Sequence, residues 1–248
     1  MRAYILAGGK GTRLSSINTE DKPKCLVEIA GKSILEWQLL QLKKYDINDV
    51  IIITCYKAEL INDWIKEKQK DNELKNQLWG LNIIIVTEET PMGTGGIICA
   101  LSQALLDNED LNEPFLVIYG DIIFNFNFND FINYSRGKTA VVVTHQSDHP
   151  HDSSCVEIEN NEIIKWWKKG QAPNYCDTTV TGIRYFDPKL FENFENSVLD
   201  LEEDILKPYL NNGKIINTYY TDEFIKDIGT PERFIKVEKI IQEGLYEK

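Results

Sequence analysis

Apolar residues in this chain come in short unbroken runs, separated by stretches of helical period. The runs "AYIL" (3–6), "DVIIIT" (49–54), "NIIIV" (82–86) and "FLVIY" (115–119) are rich in β-branched side chains and do not alternate with polar ones. Runs of that kind predict strands buried on both faces of a parallel sheet. Between the first two lies "SILEWQLLQLKKY" (33–45), where Ile34, Leu35, Trp37, Leu39 and Leu42 recur as one helical face. Ser33 with Glu36 three residues on predicts a capping box at its start. "GGIICALSQAL" (95–105) predicts another helix before "FLVIY". This is the rhythm of βαβ units, which places ligands at the C-terminal ends of the strands.

From Thr139 the pattern changes. "TAVVVTH", "SCVEIENNEIIKWW" and "TTVTGIRYF" predict strands, the second folded as a hairpin around Asn160-Asn161. "LEEDILKPYL" predicts a short helix. "TPERFIKVEKIIQEGL" predicts a terminal one, with Thr230 as N-cap and Pro231 at the first helical position. No internal repeat, low-complexity tract or linker interrupts the chain, so a single domain over 1–248 is expected. Its first half (1–138) and second half (139–248) should share one sheet. The fold class expected is α/β: Rossmann-like, doubly wound, with a mixed, mostly parallel sheet and a smaller β extension.

Composition narrows the partners. The 42% of hydrophobic residues suffices for a sizeable core, and the formal net charge of −12 argues against a general nucleic-acid binder. An anionic ligand would have to be held by a few locally placed cations. The five cysteines (Cys25, Cys55, Cys99, Cys155, Cys176) are scattered without a C-x-x-C pair, so neither a zinc site nor a disulfide framework is expected. They read as core fillers in a reduced, cytoplasmic protein. The first twenty residues lack a signal-peptide pattern, and no apolar run approaches the ~20 residues of a membrane span. All three histidines, His145, His149 and His151, fall in "THQSDHPHDSSC" beside Asp148 and Asp152. Pro150 implies an extended or turning chain there and the spacing matches no zinc pattern, so the segment reads as a solvated or substrate-facing loop.

The candidate chemistry lies in "YILAGGKGTRL" (4–14). A glycine-rich loop after a strand lets backbone N–H groups approach a phosphate. A Walker A loop requires lysine after the last glycine, whereas Lys10 precedes Gly11. A dinucleotide loop requires a third glycine where Leu14 stands. Both common readings fail. What remains is a loop ending in Arg13 and followed by "KPKCLVEIAGK", with Lys22 and Lys24.

"LAGGKGTRL" followed by "PKCLVEIAGK" resembles the signature of the sugar-phosphate nucleotidylyltransferases. Further blocks are similar to that family in the same order: "EETPMGTGGI", "YGDIIF", "TGIRYF", "LEEDIL" and "KDIGTPERF", which together cover nearly the whole chain. The resemblance implies a GT-A-like nucleotidyltransferase fold, with a nucleotide-binding first half and a sugar-binding second half. It also implies a reaction in which a sugar 1-phosphate oxygen attacks the α-phosphorus of a nucleoside triphosphate and pyrophosphate leaves. Positioning and electrostatics dominate such chemistry, because the nucleophile is already ionised.

By resemblance, Arg13 and Lys24 are catalytic, and Asp121 and Asp227 hold Mg2+. Leu6, Ala7, Gly8, Gly9, Gly11, Thr12, Tyr56, Glu88, Gly93 and Thr94 meet the nucleotide. Gly120, Gly182, Glu202 and either Lys168 or Lys169 meet the sugar phosphate, with Glu203 and Asp204 adjacent to Glu202 as alternatives. "KWWKKG" stands where the family has Glu-Lys-Pro. Within the family, "GTGGI" and the short chain resemble the D-glycero-D-manno-heptose 1-phosphate guanylyltransferases. That favours GTP, with CTP and a cytidylyltransferase activity as the competitor. A homo-oligomer is left open. A nucleotide or sugar-phosphate sensor without turnover is the alternative from another class, and should have lost one of Arg13, Lys24, Asp121 or Asp227. All four are present.

Overall fold

The computed structural model describes residues 1–14, 16–18, 21–70, 78, 80–106, 113–147, 149–194 and 197–244. Asp148 lies outside them. In chain order the strands are β1 (Arg2–Leu6), β2 (Glu28–Ile29), β3 (Lys32–Ser33), β4 (Asp49–Thr54), β5 (Asn82–Thr87), β6 (Phe115–Tyr119) and β7 (Ile122–Asn125). They continue as β8 (Ala140–Gln146), β9 (Val156–Glu159), β10 (Glu162–Trp166), β11 (Thr178–Phe186), β12 (Asn217–Tyr220) and β13 (Phe224–Asp227). The α-helices are α1 (Ile34–Lys44), α2 (Ala58–Lys70), α3 (Gly93–Leu106), α4 (Phe128–Ser135), α5 (Lys207–Asn211) and α6 (Pro231–Gln242).

The chain folds as two compact units whose segments interleave. The first comprises Met1–Thr90, Ile118–Phe128 and Glu223–Lys248, the second Pro91–Val117 and Asn129–Asp222. In the first unit the strand order is β5-β4-β1 and then the end of β6. β1, β4 and β5 are parallel and in register, Arg2 facing Asp49 and Asp49 facing Asn82. Ala3, Tyr4, Ile5, Val50, Ile52 and Ile53 are buried, as the apolar runs of β1 and β4 predict, whereas β5 stands at the sheet edge with Ile84 exposed and is not buried on both faces. A separate two-stranded ladder pairs β13 antiparallel with β7. One apolar cluster (Leu14, Val27, Ile29, Ile34, Ile123, Ile228, Phe234, Val237) ties this ladder to α1 and α6. That cluster is the floor on which the signature loops rest.

In the second unit the order runs from the start of β6 through β11-β8-β12-β10-β9. β8 pairs antiparallel with β11 and parallel with β12, so this part of the sheet is mixed. Phe115, Phe186 and Phe191 fill its core, with ring centroids 5.3–6.2 Å apart. The β9–β10 hairpin turns at Asn160 and Asn161, both with positive φ (51° and 62°). A two-residue hairpin loop needs that conformation, and asparagine adopts it readily. This is the α/β architecture with a mixed sheet that the hydrophobic pattern predicts.

One local expectation is corrected and one is refined. Ser33 does cap α1, accepting from the Glu36 amide at 3.1 Å, but the Glu36 carboxylate does not complete the box. Its side chain is 3% exposed and takes Lys68 Nζ at 2.9 Å instead, because a buried charge is costly without a counter-charge. The short helix expected over "LEEDILKPYL" is present, and its first part is of π type. Leu201–Leu206 forms a six-residue π-helix that passes into α5, with Asp200 capping the Glu202 and Glu203 amides at 2.9 Å each. π-turns of this kind recur at functional sites.

Candidate active site

The first unit gathers its chemistry at the C-terminal ends of parallel strands. Ala7 and Gly8 follow β1, Cys55 and Tyr56 follow β4, and Glu88 follows β5. The backbone keeps them level, with the Ala7 amide donating to Ile53 O at 2.7 Å and the Glu88 amide to Thr54 O at 2.8 Å. Two glycines in the loop sit where a side chain would crowd its neighbours. Gly11 has φ +66°, and a Cβ there would meet Lys24 Cβ at 3.1 Å. A Cβ on Gly8 would lie 3.3 Å from Cys55 Cβ and 3.8 Å from Glu88 Oε2. The loop is thereby laid on Lys24, whose amide donates to Gly9 O at 3.4 Å. Thr12–Leu14 closes it as one 3-10 turn, with Leu14 buried as an anchor and Thr12 and Arg13 exposed.

Lys24 is the buried cation of this unit's centre. Its side chain is 11% exposed and its Nζ donates to Asp121 Oδ2 at 2.6 Å. Asp121 sits in the turn between β6 and β7, directly after Gly120. The Gly120 amide donates to Leu6 O at 3.0 Å, and a Cβ on Gly120 would stand 2.7 Å from that oxygen. Asp227 ends β13, facing Ile122 in the ladder, and the Ile228 amide donates to Asp121 O at 2.9 Å. The two aspartates therefore occupy adjacent strand ends. Asp227 Oδ1 accepts from the Gly229 amide at 3.0 Å and from Arg233 Nη1 at 2.6 Å. Among the described residues no group of three or more His, Cys, Asp or Glu side chains is placed to hold a metal ion. A pair of carboxylates is the oxygen donor set that fits a Mg2+ whose remaining positions are filled by phosphate and water.

Tyr56 has a different setting. Its hydroxyl donates to both oxygens of Asp21 at 3.0 Å, and Lys10 Nζ and Lys57 Nζ each stand over its ring, 5.6 and 5.5 Å from the centroid. Lys57 also reaches Asp21 at 2.6 Å. Hydrogen bonds from Lys57 and then Tyr56 hold the Asp21 carboxyl below its ordinary range.

In the second unit Gly93 and Thr94 open α3 and are engaged by the chain itself. The Thr94 hydroxyl accepts from the Leu201 amide at 3.0 Å, and the Gly95 amide donates to Leu199 O at 2.8 Å. Glu202, Glu203 and Asp204 are sorted by their partners. Glu202 meets Arg184 and Ser154, Glu203 meets Lys207 and Lys168, and Asp204 accepts from the Asp200 amide. Lys168 lies 3.5 Å from Glu203, while Lys169 pairs with Asp152. Gly182 is buried in β11, inside a register shift between Val180 and Arg184. Burial pushes the Cys25 thiol up to about 12 and the Cys99 and Cys176 thiols to about 11, the behaviour of packing residues rather than nucleophiles.

Three functional candidates escape a reading by motif. Arg233 lies in the first turn of α6, where only the fold brings it to Asp227. Arg184 is a charge inside an apolar strand, which was a signal in itself. Gln38 is buried in α1, and its Nε2 donates to Tyr119 O at 2.8 Å and to Ile122 O at 2.9 Å, the two ends of the Gly120–Asp121 turn. Gln38→Met keeps the length and removes both bonds. It is expected to cost about 1–3 kcal/mol in urea denaturation, and to lower turnover further by loosening Asp121.

Among the described residues no helix is long and apolar enough to cross a membrane. The chain is 29% identical over 240 residues to the mannose-1-phosphate guanylyltransferase catalytic subunit beta of Dictyostelium discoideum, covering 95% of this chain and 63% of that one. The Xenopus tropicalis protein of the same name is 28% identical over the same coverage. The chain thus spans less than two thirds of the length of these relatives. Among solved structures, HddC from Yersinia pseudotuberculosis superposes with a TM-score of 0.79 at 24% identity, covering 97% of this chain and 99% of that one. A putative glucose-1-phosphate thymidylyltransferase from Bacillus anthracis also gives 0.79, at 21% identity with 98% and 96% covered. At those identities the structures establish a shared fold. The nucleotidyl transferase pattern itself matches residues 2–244, from the first strand to the end of the last helix, and this chain belongs to that family.

Proposed function

We propose that the chain transfers a nucleotidyl group from a nucleoside triphosphate to a sugar 1-phosphate, releasing pyrophosphate and an NDP-sugar in the cytoplasm. The observation that carries this reading is the Lys24–Asp121 pair, packed against Gly11 of the glycine loop and next to Asp227. A buried lysine beside two carboxylates, with an exposed arginine, Arg13, at the end of the glycine loop, suits an in-line displacement at an α-phosphate, where the barrier lies in gathering negative charge. Asp121 and Asp227 would hold Mg2+, which when bound would neutralise phosphate oxygens. Lys24 and Arg13 would receive the remaining charge of the triphosphate. The amides of Gly8, Gly9 and Gly11, with Leu6, Ala7, Thr12, Tyr56, Glu88, Gly93 and Thr94, would hold the nucleotide. Gly120, Gly182, Glu202 and Lys168 or Lys169 would hold the sugar phosphate.

GTP is the favoured donor and a manno-configured sugar 1-phosphate the favoured acceptor, D-glycero-D-manno-heptose 1-phosphate ahead of mannose 1-phosphate. The guanylyltransferase relatives support the base, and the mannose-1-phosphate enzymes among them keep mannose in the comparison. The test is a panel of four triphosphates against heptose, mannose and glucose 1-phosphates and several non-sugar phosphates, followed by Mg2+-dependent pyrophosphate release. Release from one pair at least tenfold faster than from the others is expected. No release from any pair would leave the sensor reading in its place.

A further inference from the structure

The second unit holds a polar assembly in which two residues with no role assigned above, Arg184 and Ser154, meet Glu202. Arg184, towards the end of β11, is 1% exposed, and its Nη2 donates to Glu202 Oε1. The Ser154 hydroxyl donates to the other oxygen, Glu202 Oε2, at 2.8 Å. β11 is shaped for this contact. Val180 faces Thr144 and Arg184 faces Val142, so four steps along β11 match two along β8. The Ile183 amide closes the bulge onto Thr181 Oγ1 at 3.2 Å. Bulges re-aim side chains, and this one precedes the arginine. Ser154 is fixed alongside, its carbonyl accepting from the Val180 amide at 3.1 Å.

We propose that Arg184 and Ser154 are positioning residues that aim the Glu202 carboxylate at a pair of neighbouring hydroxyl groups on the sugar, a reading that rests on the transfer to a sugar 1-phosphate proposed above. A carboxylate has about four acceptor positions. One bond from Arg184 and one from Ser154 leave two, on a side chain still 17% exposed. The adjacent acids are committed elsewhere, Glu203 to lysines and Asp204 to the Asp200 amide. Charge balance points the same way. A lone glutamate would repel a phosphorylated sugar, whereas paired with Arg184 it presents oriented acceptors without net charge. The π-helix sets Glu202 in its first turn, and Asp200 pins that turn by two amides.

The experiment compares wild type with Ser154→Ala, Arg184→Lys and Arg184→Met, by steady-state kinetics in both substrates and by thermal melting. Acceptors are the best sugar 1-phosphate of the panel and its singly deoxygenated analogues. Losing a hydrogen bond to a charged group should raise the KM for sugar phosphate about tenfold in Ser154→Ala and more in Arg184→Met. The triphosphate KM and kcat should stay within about twofold. Arg184→Lys should recover part of the loss, and the penalty for removing one particular hydroxyl should shrink in the variants. Should Arg184→Met not fold, Ser154→Ala decides, since it removes one hydroxyl from a half-buried position. An active wild type whose variants melt lower but keep the sugar KM would make the pair a structural staple and overturn the proposal. A wild type inactive with every sugar phosphate would instead remove the functional reading, and this proposal with it.

Discussion

Asp121→Asn is expected to lower turnover by on the order of 10²–10³-fold, the usual loss when one contact to developing charge is removed. Asparagine keeps the shape and one oxygen, so the turn after Gly120 should survive. Lys24 then loses its counter-charge at 2.6 Å. Because the aspartate side chain is 33% exposed, the stability cost should stay near ~1 kcal/mol rather than that of a fully buried pair. Asp121 stands in two proposed roles, as ligand to Mg2+ and as partner to Lys24, and a cycle with Lys24→Ala separates them. If Asp121 acts chiefly by holding Lys24, the double variant should be little worse than either single one. If it also binds metal, the double variant should fall further, and the Mg2+ concentration for half-maximal rate should rise in Asp121→Asn alone. Pyrophosphate release at several Mg2+ concentrations reads both. An unchanged rate in Asp121→Asn would take the residue out of the centre.

The legibility of this centre in the sequence differs from part to part. Strands β4, β6 and β11 begin and end where their apolar runs do, because burial on both faces leaves little freedom in composition. Asp121 and Asp227 stand at the ends of such runs, and their adjacency follows from an ordinary antiparallel ladder. What a linear reading misses is the choice of partner. Glu36 has the spacing of a capping box, yet a lysine from α2 claims its carboxylate. Gln38 looks like a polar position on a helix, and becomes the clamp of the Asp121 turn only once β6 and β7 lie against α1. Glu202, Glu203 and Asp204 are equivalent on paper, and side chains from 18 to 48 positions away tell Glu202 apart. The π-helix is hidden for a similar reason, since its sequence suits an α-helix and its packing decides otherwise. Periodicity reports burial, and pairing is a tertiary property.

The "GTGG" segment gives the second large effect, and a test of why its glycines are there. The resemblance assigns Gly93 and Thr94 to the nucleotide, whereas the structure also sets their neighbours Gly95 and Gly96 against the chain's own backbone. A Cβ on Gly96 would lie 2.1 Å from Ser197 O and 3.1 Å from Met92 Cβ. Gly96→Ala meets two opposing terms. Alanine in a helix is favoured over glycine by about 1 kcal/mol. Against that stands a contact far below van der Waals distance with a main-chain carbonyl, and overpacking a tight site costs about 1–3 kcal/mol or more. Leu199 is bonded on both sides, its amide to Met92 O at 2.9 Å and its carbonyl to the Gly95 amide at 2.8 Å, so the facing segment cannot retreat without breaking a bond. The steric term should win, and Gly96→Ala should lose about 2 kcal/mol or more in urea denaturation. Gly96→Ser should be worse, having the same Cβ and a hydroxyl besides. If Gly96→Ala were instead as stable as wild type but raised the triphosphate KM, its glycine would be kept for the ligand and not for the close approach of two backbones.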